Sequence, residues 1–486
     1  MIKSILGSSN DVIFRAFKIG LEKPINSAII YIDGLVDKNL INQDILRPLM
    51  FHMQVVDQQQ ADLKIFNLID FLQSSVLTVG EIGLQTSVDE AVASILSGHA
   101  VILINGTNQA LTIDVKGWKT RNIEEPQNEV AIRGAKEGFN ETIRINTALL
   151  RRRIRDPHLT FDAMQIGKRS KTDVVIAYIK GITNDSLIAE IKERLQRIDT
   201  DTILDTSYIE QFIEDRPTSL FPTVGNSQRP DVIAAKILEG RAAILVDGSP
   251  TILTVPFLFM EGFHSPDDYY ARPYFATMVR IIRLFAFLIS VILPSIYVAL
   301  MSFHQELFPT PLLITVAAAK EGIPFPVVLE AIIMLLIFEI LREAGLRQPR
   351  ALGQAVSIVG ALVIGQAAVS AGLVGAPMVI VVTSTAIASF LVVNYADFAA
   401  VLRLILTVIA GFLGLLGIVL VALEILSYMV ALRSFGAPYL SPLTPINLRS
   451  WKDSLLRAPL WMLEQRPNDF DPLDVRRQSR GQKPGP

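Results

Sequence analysis

The residues of this chain that could do chemistry are a few charged side chains inside otherwise apolar segments. Glu330 and Glu339 interrupt the apolar run 325–341. The adjacent pair Lys320-Glu321 lies between apolar segments bounded by prolines. A carboxylate in the middle of a membrane helix costs about 2.5–3.5 kcal/mol, so Glu330 should face protein or water rather than lipid. We therefore expect Lys320, Glu321 and Glu330 to border an aqueous path as pore or gating residues.

The two carboxylates of this run do not form a paired site. Glu330 and Glu339 are nine residues apart, which at about 100° per residue places them on opposite faces of a helix. Glu339 lies beside Arg342 and Glu343, and we interpret it as an interfacial, snorkelling or ion-paired residue. Glu330 lies deeper in the apolar run and is the stronger candidate for a functional group.

Small side chains recur at helical spacing across residues 353–372. The series comprises Gly353, Ser357, Ala361, Gly365, Ala368 and Gly372. A stripe of this kind lies along one helix face and allows another helix to approach closely, so we assign these residues to helix packing. Gln366 and Ser370 share a second face, and we take them as pore or gating candidates. Packing within a bundle explains that face equally well, and both interpretations stay open.

The sequence offers no catalytic or metal site. It contains no cysteine, which excludes a disulfide, a thiolate site and a catalytic thiol. The five histidines show neither an HxxxH nor an HExxH spacing. No Ser/His/Asp order and no dinucleotide fingerprint is present. We therefore predict that the protein is not an enzyme and uses no metal or cofactor. The net charge of −2 gives no whole-chain reason to expect nucleic acid as a partner.

Composition divides the chain near residue 283. The whole chain is 50% hydrophobic and 19% charged, with a mean hydropathy of +0.41, which is typical of a soluble part joined to a membrane part. Charges come every few residues upstream of this point, whereas 351–396 contain no charged residue and no histidine. Apolar segments of about membrane-spanning length occur at 284–303, 325–341, 355–373, 376–394 and 404–432.

One further apolar segment, Pro311–Gly322, is too short to span a bilayer. It is typical of a re-entrant half-helix, which is tolerated only where it is buried in protein or lines a water-filled cavity. We predict four to six membrane segments, at least one of them re-entrant. No apolar leader opens the chain, and basic residues flank the membrane half on both sides. We therefore expect the N-terminal half and the C-terminal tail to be cytoplasmic.

The first 270 residues contain one pattern twice. Ala28–Asp37 matches Val175–Asn184, and Ile95–Gly106 matches Ile237–Gly248, at offsets of 147 and 142 residues. Each copy combines a β-branched strand that ends at a glycine turn with a hairpin signal, Asn-Gly or Asp-Gly. The predicted fold class is a duplicated α/β soluble domain followed by an α-helical multi-pass membrane domain with a re-entrant segment.

These patterns divide the chain into six regions. They are an N-terminal segment at 1–24, α/β subdomains at 25–120 and 170–270, a basic connector at 121–169, a transmembrane domain at 271–435, and a cytoplasmic tail at 436–486. We expect the tail to be disordered after Arg466, because it is rich in proline, glycine and charge. The connector, with Arg151, Arg152, Arg153 and Arg155, is typical of a solvated basic helix. Contact with anionic headgroups or with an acidic face of a neighbouring subunit is the alternative.

Several longer stretches resemble one known family. They are Pro273–Thr277, Leu293–Leu300, Phe303–Glu306, Pro309–Pro311, Glu339–Gly345, Gly353–Ala367 and Arg433–Pro442, with Arg133-Gly134, Lys136–Phe139, Leu149–Asp156 and Asp247-Gly248 upstream. On these motifs, which extend over nearly the whole chain, the protein resembles the A subunit of the bacterial spore germinant receptor, the GerA family.

The resemblance implies a function that spacing alone does not. Members of this family lie in the inner membrane of dormant spores with a transporter-like B subunit and a lipoprotein C subunit. The complex senses nutrients, and cation release begins germination. The resemblance implies a homo-oligomer in membrane lipid whose membrane segments form a cation path, without a chemical reaction of its own and with unknown ligand-binding residues. A secondary transporter or solute-binding permease subunit is the alternative, which inverted repeats in the membrane half would favour.

Overall fold

The computed structural model describes residues 1–7, 9–20, 24–52, 68–117, 133–347, 363–447 and 450–484. Within these ranges, two antiparallel sheets with flanking helices form the N-terminal half, and the C-terminal half is helical. The predicted packing positions Gly353, Ser357 and Ala361 lie outside the described residues.

The first sheet has five strands in the order β1-β2-β4-β5-β3. Its strands are β1 Val12–Ile19, β2 Ile25–Ile32, β3 Ile82–Gln85, β4 His99–Ile104 and β5 Ala110–Asp114. Its helices are α1 Ile2–Leu6 and α2 Val88–Leu96, with shorter helical stretches at Lys38–Leu40, Ile41–Leu46, Pro48–His52, Leu68–Phe71 and Leu72–Val76. Successive side chains alternate between faces, so Ile29 enters one apolar cluster and Ile30 enters the other.

The second sheet repeats this topology in the order β6-β7-β9-β10-β8. Its strands are β6 Leu159–Ile166, β7 Thr172–Ile179, β8 Gly225–Ser227, β9 Ala242–Val246 and β10 Ile252–Val255. Its helices are α3 Ile143–Arg153, α4 Asp185–Gln196, α5 Thr206–Ile213 and α6 Pro230–Leu238. The two glycines of the hairpin signals, Gly106 and Gly248, have φ values of 90° and 88°. The duplication in the sequence is therefore present in the strand order and in these turns.

Two strands lie where the sequence pattern indicated none. β1 falls in the segment 1–24 and β6 in the connector 121–169, yet each pairs along its whole length with the next strand. Both are edge strands, and each contains a charged residue, the exposed Lys18 in β1 and the partly buried Asp162, paired with Lys192, in β6. These charges obscure the apolar pattern. The exact limits of the two α/β units stay a prediction.

Helix α3 lies between the two α/β units and contacts both. Ala148 belongs to the apolar cluster of the first unit, whereas Leu149 and Leu150 belong to that of the second. Arg151 is buried and binds Asp11 through two hydrogen bonds of 2.8 and 3.0 Å. The prediction of a solvated basic helix is therefore wrong for Arg151, because this side chain forms an internal ion pair that joins the N-terminal segment to α3.

Among the described residues of the C-terminal half, six helices have assigned bounds, and a further helical stretch occurs at 363–370. They are α7 Asp267–Tyr270, α8 Pro273–Ser302, α9 Thr310–Lys320, α10 Val327–Arg347, α11 Ala376–Phe390 and α12 Ala396–Ala431. The hairpin β11 Arg433–Ser434 and β12 Ala437–Pro438 follows, and 3₁₀ turns occur at Phe259–Phe263, Gln305–Leu307, Val393–Tyr395, Ser450–Lys452, Leu460–Met462 and Asn468–Phe470.

Two helical segments of the described chain are long and apolar enough to cross a membrane, by length and composition: Pro273–Ser302 and Val393–Ala431. Helix α9, in the segment predicted to be re-entrant, has 11 residues, which correspond to about 16 Å and do not span a bilayer. The apolar stretch around residues 372–377 is broken in the structure, since helical residues 363–370 end before α11 begins at Ala376.

Helix α12 is bent at Gly414. This residue has φ 61° and ψ −147°, a combination that is essentially restricted to glycine. A Cβ atom there would lie 3.0 Å from Nε2 of His304 and 3.1 Å from Cβ of Phe303. The bend therefore brings the loop after α8 against the middle of α12, and it requires a residue without a side chain.

The tail does not behave as its composition predicts. Phe470 is buried beneath the guanidinium of Arg241 at 4.1 Å, and the N–H of Leu473 donates to the carbonyl of Ile182 at 2.8 Å. The expected disorder after Arg466 is therefore not found in the described tail residues. Their backbone hydrogen bonds and aromatic contacts include partners in the second α/β unit. Composition alone does not predict contacts with a distant part of the chain.

Candidate functional site

The candidate site centres on Glu330, in the first turn of α10. Its side chain is fully buried, and its Oε1 accepts a 2.6 Å hydrogen bond from the backbone N–H of Gly375. Gly375 is the residue just before α11, where backbone N–H groups lack helical partners and the helix dipole is positive. Glu330 therefore caps α11 from a neighbouring helix, and both its charge and its acceptor atoms suit that position.

Lys320 supplies the second charge of the site. It is the last residue of α9, and its Nζ lies 3.9 Å from Oε2 of Glu330. A cation at this position is favoured by the negative end of the α9 dipole. The turn between α9 and α10 thus brings the end of α9 to the starts of α10 and α11, and two charges from different helices meet there.

Two buried oxygen atoms at this junction lack hydrogen-bond partners among the described residues. They are Oε2 of Glu330 and the hydroxyl of Tyr297 on α8. Tyr297 packs in the same apolar cluster as Ala331, the residue after Glu330. A buried acceptor without a partner costs about 1–3 kcal/mol, and more when it is charged. These atoms are of the kind that bound water or a cation would satisfy.

Gly375 allows the carboxylate to approach the helix start. A Cβ atom on this residue would lie 3.2 Å from Oε1 of Glu330 and 3.3 Å from Cδ1 of Ile323. From the sequence, this position is predicted only to lie between the apolar segments 355–373 and 376–394. The sequence feature that could have drawn attention to Gly375 is its position directly before the Ala-Pro start of an apolar helix. In the structure, this glycine also donates its N–H to the buried carboxylate of Glu330.

The structure does not bring all predicted pore residues together. Glu321 is exposed beside Lys320, and Gln366 and Ser370 are exposed on the helical stretch 363–370, whereas Glu330 is fully buried. Within one chain, Gln366 and Ser370 therefore do not share the enclosed site of Glu330. Their predicted role in a pore stays a prediction that concerns their exposed face.

The two described glycines of the predicted packing stripe differ in their surroundings. Gly365 is buried, and a Cβ atom there would lie 3.3 Å from Cγ1 of Val379 on α11. Gly372 has φ 65° in the turn before α11, and a Cβ atom there would have no neighbour among the described residues within 4 Å. Its assignment to helix packing is therefore wrong, because it lies in a turn that requires positive φ rather than on a helix face.

A second set of charges lies farther along α10. Oε1 of Glu339 is 2.5 Å from Nη2 of Arg403 on α12, and its Oε2 is 3.0 Å from Nε of Arg342. Glu339 is therefore ion-paired, one of the interpretations drawn from the sequence. The sequence analysis missed Arg403, which is buried, because it lies one residue before the predicted apolar segment 404–432. The pair of Glu339 and Arg403 fastens α10 to α12.

Polar and aromatic contacts connect the α/β half to the membrane-type helices. Asp268 accepts hydrogen bonds from Arg280 at 3.0 Å and from Arg283 at 2.9 Å, both at the start of α8. Nε2 of His264 lies 2.7 Å from the carbonyl of Ser454 in the tail. Burial, with the charge of Arg280 next, holds the pKa of His264 well below its usual value, so the ring is neutral and donates this hydrogen bond.

An aromatic cluster extends this connection. The ring of Phe259 lies 6.1 Å from that of Phe287 on α8 and 5.2 Å from that of Tyr395, while Phe398 on α12 lies 5.2 Å from Tyr395. Such pairs contribute about 0.5–1.5 kcal/mol each beyond the area that they bury. The segment before α8 is therefore packed against two membrane-type helices at once.

No group of three or more His, Asp or Glu side chains that could hold a metal ion occurs in the part of the chain that the structure describes. Residues 1–469 match the family model of the Bacillus/Clostridium GerA spore germination protein. The chain belongs to the GerA family.

This GerA-family chain is similar in sequence to several named proteins over most of its length. Spore germination protein KA of Bacillus subtilis is 43% identical over 486 residues, which are 100% of this chain and 88% of that protein. The uncharacterized membrane protein YfkQ of the same organism is 41% identical over 464 residues, 95% of this chain and 88% of that protein. The crystal structure of the N-terminal domain of the A subunit of the Bacillus megaterium germinant receptor GerK3 is 38% identical, covers 53% of this chain and 92% of that one, and has a TM-score of 0.42.

Proposed function

We propose that this GerA-family chain is the A-type membrane subunit of a nutrient-responsive spore germinant receptor in the inner spore membrane. Its family membership and its 43% identity to spore germination protein KA support this assignment. The proposal includes a transporter-like B subunit and a lipoprotein C subunit as partners, as expected for an A subunit. The chain itself carries out no chemical reaction in this account.

The proposal assigns a cation path to the helical half, and one observation carries it: the buried carboxylate of Glu330, whose Oε2 lies 3.9 Å from Nζ of Lys320 and has no hydrogen-bond partner among the described residues. Carboxylates that line a water-filled passage favour cations over anions. The site lies where the short helix α9 ends, and a helix too short to span a bilayer is tolerated only in protein or beside water. Both features favour an aqueous path beside Glu330.

Exposure of α9 supports assembly of several copies. Val316 is the one buried residue of this helix, while Leu312 and Ile314 are 47% and 64% exposed in the single chain. A half-helix of this length needs protein around its unpaired ends. We therefore propose that neighbouring copies of the chain cover α9, so that several copies surround one path.

Contacts of the tail support a multi-pass topology with both ends on one side. The tail residue Phe470 packs on Arg241, and Phe435, just after α12, donates its N–H to Asp215 at 2.8 Å. The end of the membrane half therefore meets the second α/β unit, and two parts in contact lie on the same side of a bilayer. We propose an even number of crossings, with both parts cytoplasmic by the distribution of basic residues.

Reconstitution of the purified full-length chain in liposomes tests this function. We expect a stable oligomer by chemical cross-linking and mass analysis, and efflux of K⁺ or Na⁺ above that of protein-free liposomes. A strictly monomeric chain without cation flux would contradict the proposal. Solute uptake that is driven by an ion gradient, without cation flux of its own, would instead favour a secondary transporter.

A further inference from the structure

The first part of the tail lies against the start of α8, a helix that is long and apolar enough to cross a bilayer. The backbone N–H of Arg457 donates to Oγ1 of Thr277 at 3.0 Å, and Nη1 of Arg280 donates to the carbonyl of Asp453 at 2.6 Å. Thr277 and Arg280 are both near the N-terminal end of α8. These bonds hold tail residues 453–457 beside the start of this helix.

The depth of α8 in a bilayer follows from the positions of its charges. Its residues from Leu284 to Ser302 include no charged residue and are about 28 Å long, close to the thickness of the hydrocarbon core. Residues 273–283, which include Arg280 and Arg283, then lie in the headgroup layer and just outside it. The tail residues that are bonded to Thr277 and Arg280 lie at the same level.

Apolar side chains are exposed on both sides of this contact. Tyr274 and Met278 are exposed on α8. In the tail, Leu456 and Leu460 are 51% and 52% exposed, and Leu456 directly precedes the residue that is bonded to Thr277. The exposed leucines of the tail therefore border the exposed apolar face of a membrane-type helix. Side chains of this kind insert at the boundary between headgroups and acyl chains in segments that lie on a membrane.

The tail differs from the whole chain in the sign of its charge. Residues 436–486 contain eight Lys or Arg and five Asp or Glu, a net charge of +3, whereas the whole chain carries −2. Four cations and two carboxylates line a cavity of about 260 Å³ in the tail: Lys452, Arg466, Arg477 and Arg480 with Asp453 and Glu464. Lys452 and Arg480 are exposed. Exposed cations next to a membrane helix attract the anionic lipids of the adjacent leaflet.

Two simpler explanations each cover only part of these observations. The positive-inside rule accounts for basic residues next to a membrane helix, but not for exposed leucines among them. A second copy of the chain packed on this face would account for the leucines, but not for the surplus of cations. A lipid surface accounts for both, because it offers acyl chains and anionic headgroups side by side.

We propose that tail residues 450–463, the interfacial segment, bind the anionic surface of the leaflet that faces the α/β units. Leu456 and Leu460 insert at the boundary of the acyl chains, and Lys452 and Arg480 contact headgroup phosphates. Because this segment is hydrogen-bonded to α8, lipid binding fixes the depth of that helix. The proposal rests on α8 as a membrane span, which belongs to the proposed function, but it is independent of the proposed cation path.

Fluorescence quenching in lipid nanodiscs tests the interfacial segment in the full-length chain. The chain contains no cysteine, so a single-cysteine variant carries one probe at a known position. A nitrobenzoxadiazole probe on Leu456→Cys or Leu460→Cys should be quenched by phosphatidylcholine with a spin label near its headgroup several-fold more than on Leu473→Cys. Leu473 is the matched control, because it is 55% exposed in the same tail but its backbone N–H is bonded to the second α/β unit.

The variant Phe285→Cys reports separately on the span itself. Phe285 is 60% exposed in the apolar part of α8, so its probe should be quenched by a spin label deep in the acyl chains. Quenching at Phe285 without quenching at Leu456 and Leu460 would overturn the interfacial segment and leave the span intact. Absence of quenching at Phe285 would contradict the membrane span and therefore overturn both.

Anionic lipid tests the part of the charges. Addition of phosphatidylglycerol to the nanodiscs should increase quenching at Leu460→Cys about twofold or more at low ionic strength. The combined changes Lys452→Gln and Arg480→Gln should remove this increase. Quenching that does not respond to phosphatidylglycerol would contradict the contact with headgroups. Disulfide formation between two Leu460→Cys chains, without lipid quenching, would assign this face to a second copy and overturn the proposal.

Discussion

The carboxylate of Glu330 and the backbone N–H of Gly375 are joined by a hydrogen bond of 2.6 Å across 45 positions of the chain. This bond holds the start of α10 against the start of α11. It also fixes which oxygen of Glu330 faces Lys320, since Oε2 lies 3.9 Å from Nζ of Lys320 and has no hydrogen-bond partner in the described structure. Oε1 of Glu330 therefore contributes to the packing of α10 against α11, whereas Oε2 is the atom on which the proposed cation path depends.

Substitutions of Glu330 should separate its structural role, the hydrogen bond to Gly375, from the role of its charge. Glu330→Ala removes the acceptor and leaves a buried N–H without a partner, so we expect it to lower the free energy of unfolding by about 2 kcal/mol. Glu330→Gln keeps a carbonyl oxygen for Gly375 and should cost less than about 1 kcal/mol. Thermal unfolding of the two variants in detergent measures the difference, and equal losses would show that the hydrogen bond to Gly375 contributes nothing.

Gly414 should tolerate no side chain. Gly414→Ala forces a positive φ on alanine and places Cβ against His304 and Phe303, so we expect a loss of about 2–3 kcal/mol. Gly436→Ala is the matched control, because Gly436 also has positive φ but open space around a Cβ within the described structure. It should cost about 1 kcal/mol. Unfolding temperatures that rank the two variants in the reverse order would contradict this explanation of the bend.

The buried pair of Arg151 and Asp11 should be the costliest polar contact to break in the α/β half. Both side chains are 1% exposed, and Arg151→Ala leaves the Asp11 carboxylate buried without its partner. We expect a loss of about 3–5 kcal/mol. Lys168→Ala removes an exposed pair with Asp199 and should cost about 0–1 kcal/mol. Limited proteolysis and thermal unfolding measure both, and a small effect of Arg151→Ala would show that Asp11 is neutralised in another way.

Glu210 should make stability depend on pH. Burial, followed by the charges of Glu214 and Asp205, raises the pKa of Glu210 from 4.5 to about 7. The folded state therefore keeps a proton that the unfolded chain loses, so this group lowers stability progressively as the pH rises from about 4.5 to about 7.

The variant Glu210→Gln, which cannot ionise, tests this dependence. It should match the wild type near pH 4 and be more stable by about 1 kcal/mol at pH 8, a modest value because Glu210 is only partly buried. Thermal unfolding at the two pH values measures the change. Parallel pH profiles of the two proteins would contradict the raised pKa.

Sequence patterns predicted the repeated strands well because their cause is local. Strand β2 and its counterpart β7 each end in a run of apolar residues before a glycine turn, and the matching hairpins carry Asn-Gly and Asp-Gly. Each of these features depends only on residues that are close together in the sequence. The edge strands β1 and β6 were missed because polar and charged side chains interrupt their apolar pattern.

The features that the sequence did not predict depend on contacts between residues far apart in the chain. Glu330 was predicted to face protein or water from its place in an apolar run, but its partner Gly375 was not, since nothing in the local sequence links two positions so far apart. Arg403 was missed and Arg151 was wrongly predicted to be solvated for the same reason: each is buried where a carboxylate from a distant segment meets it. Docking of the tail depends likewise on the surface of the second α/β unit.

A cation path beside Glu330 is tested by K⁺ efflux from liposomes that contain the Glu330→Gln variant. Glu343→Gln is the control, because Glu343 lies on the same helix in an exposed pair with Arg347. We expect Glu330→Gln to reduce the efflux rate about tenfold or more at equal amounts of oligomer, since loss of the carboxylate removes its stabilisation of the cation. Glu343→Gln should leave the rate unchanged. Equal efflux through the wild type and both variants would contradict the claim.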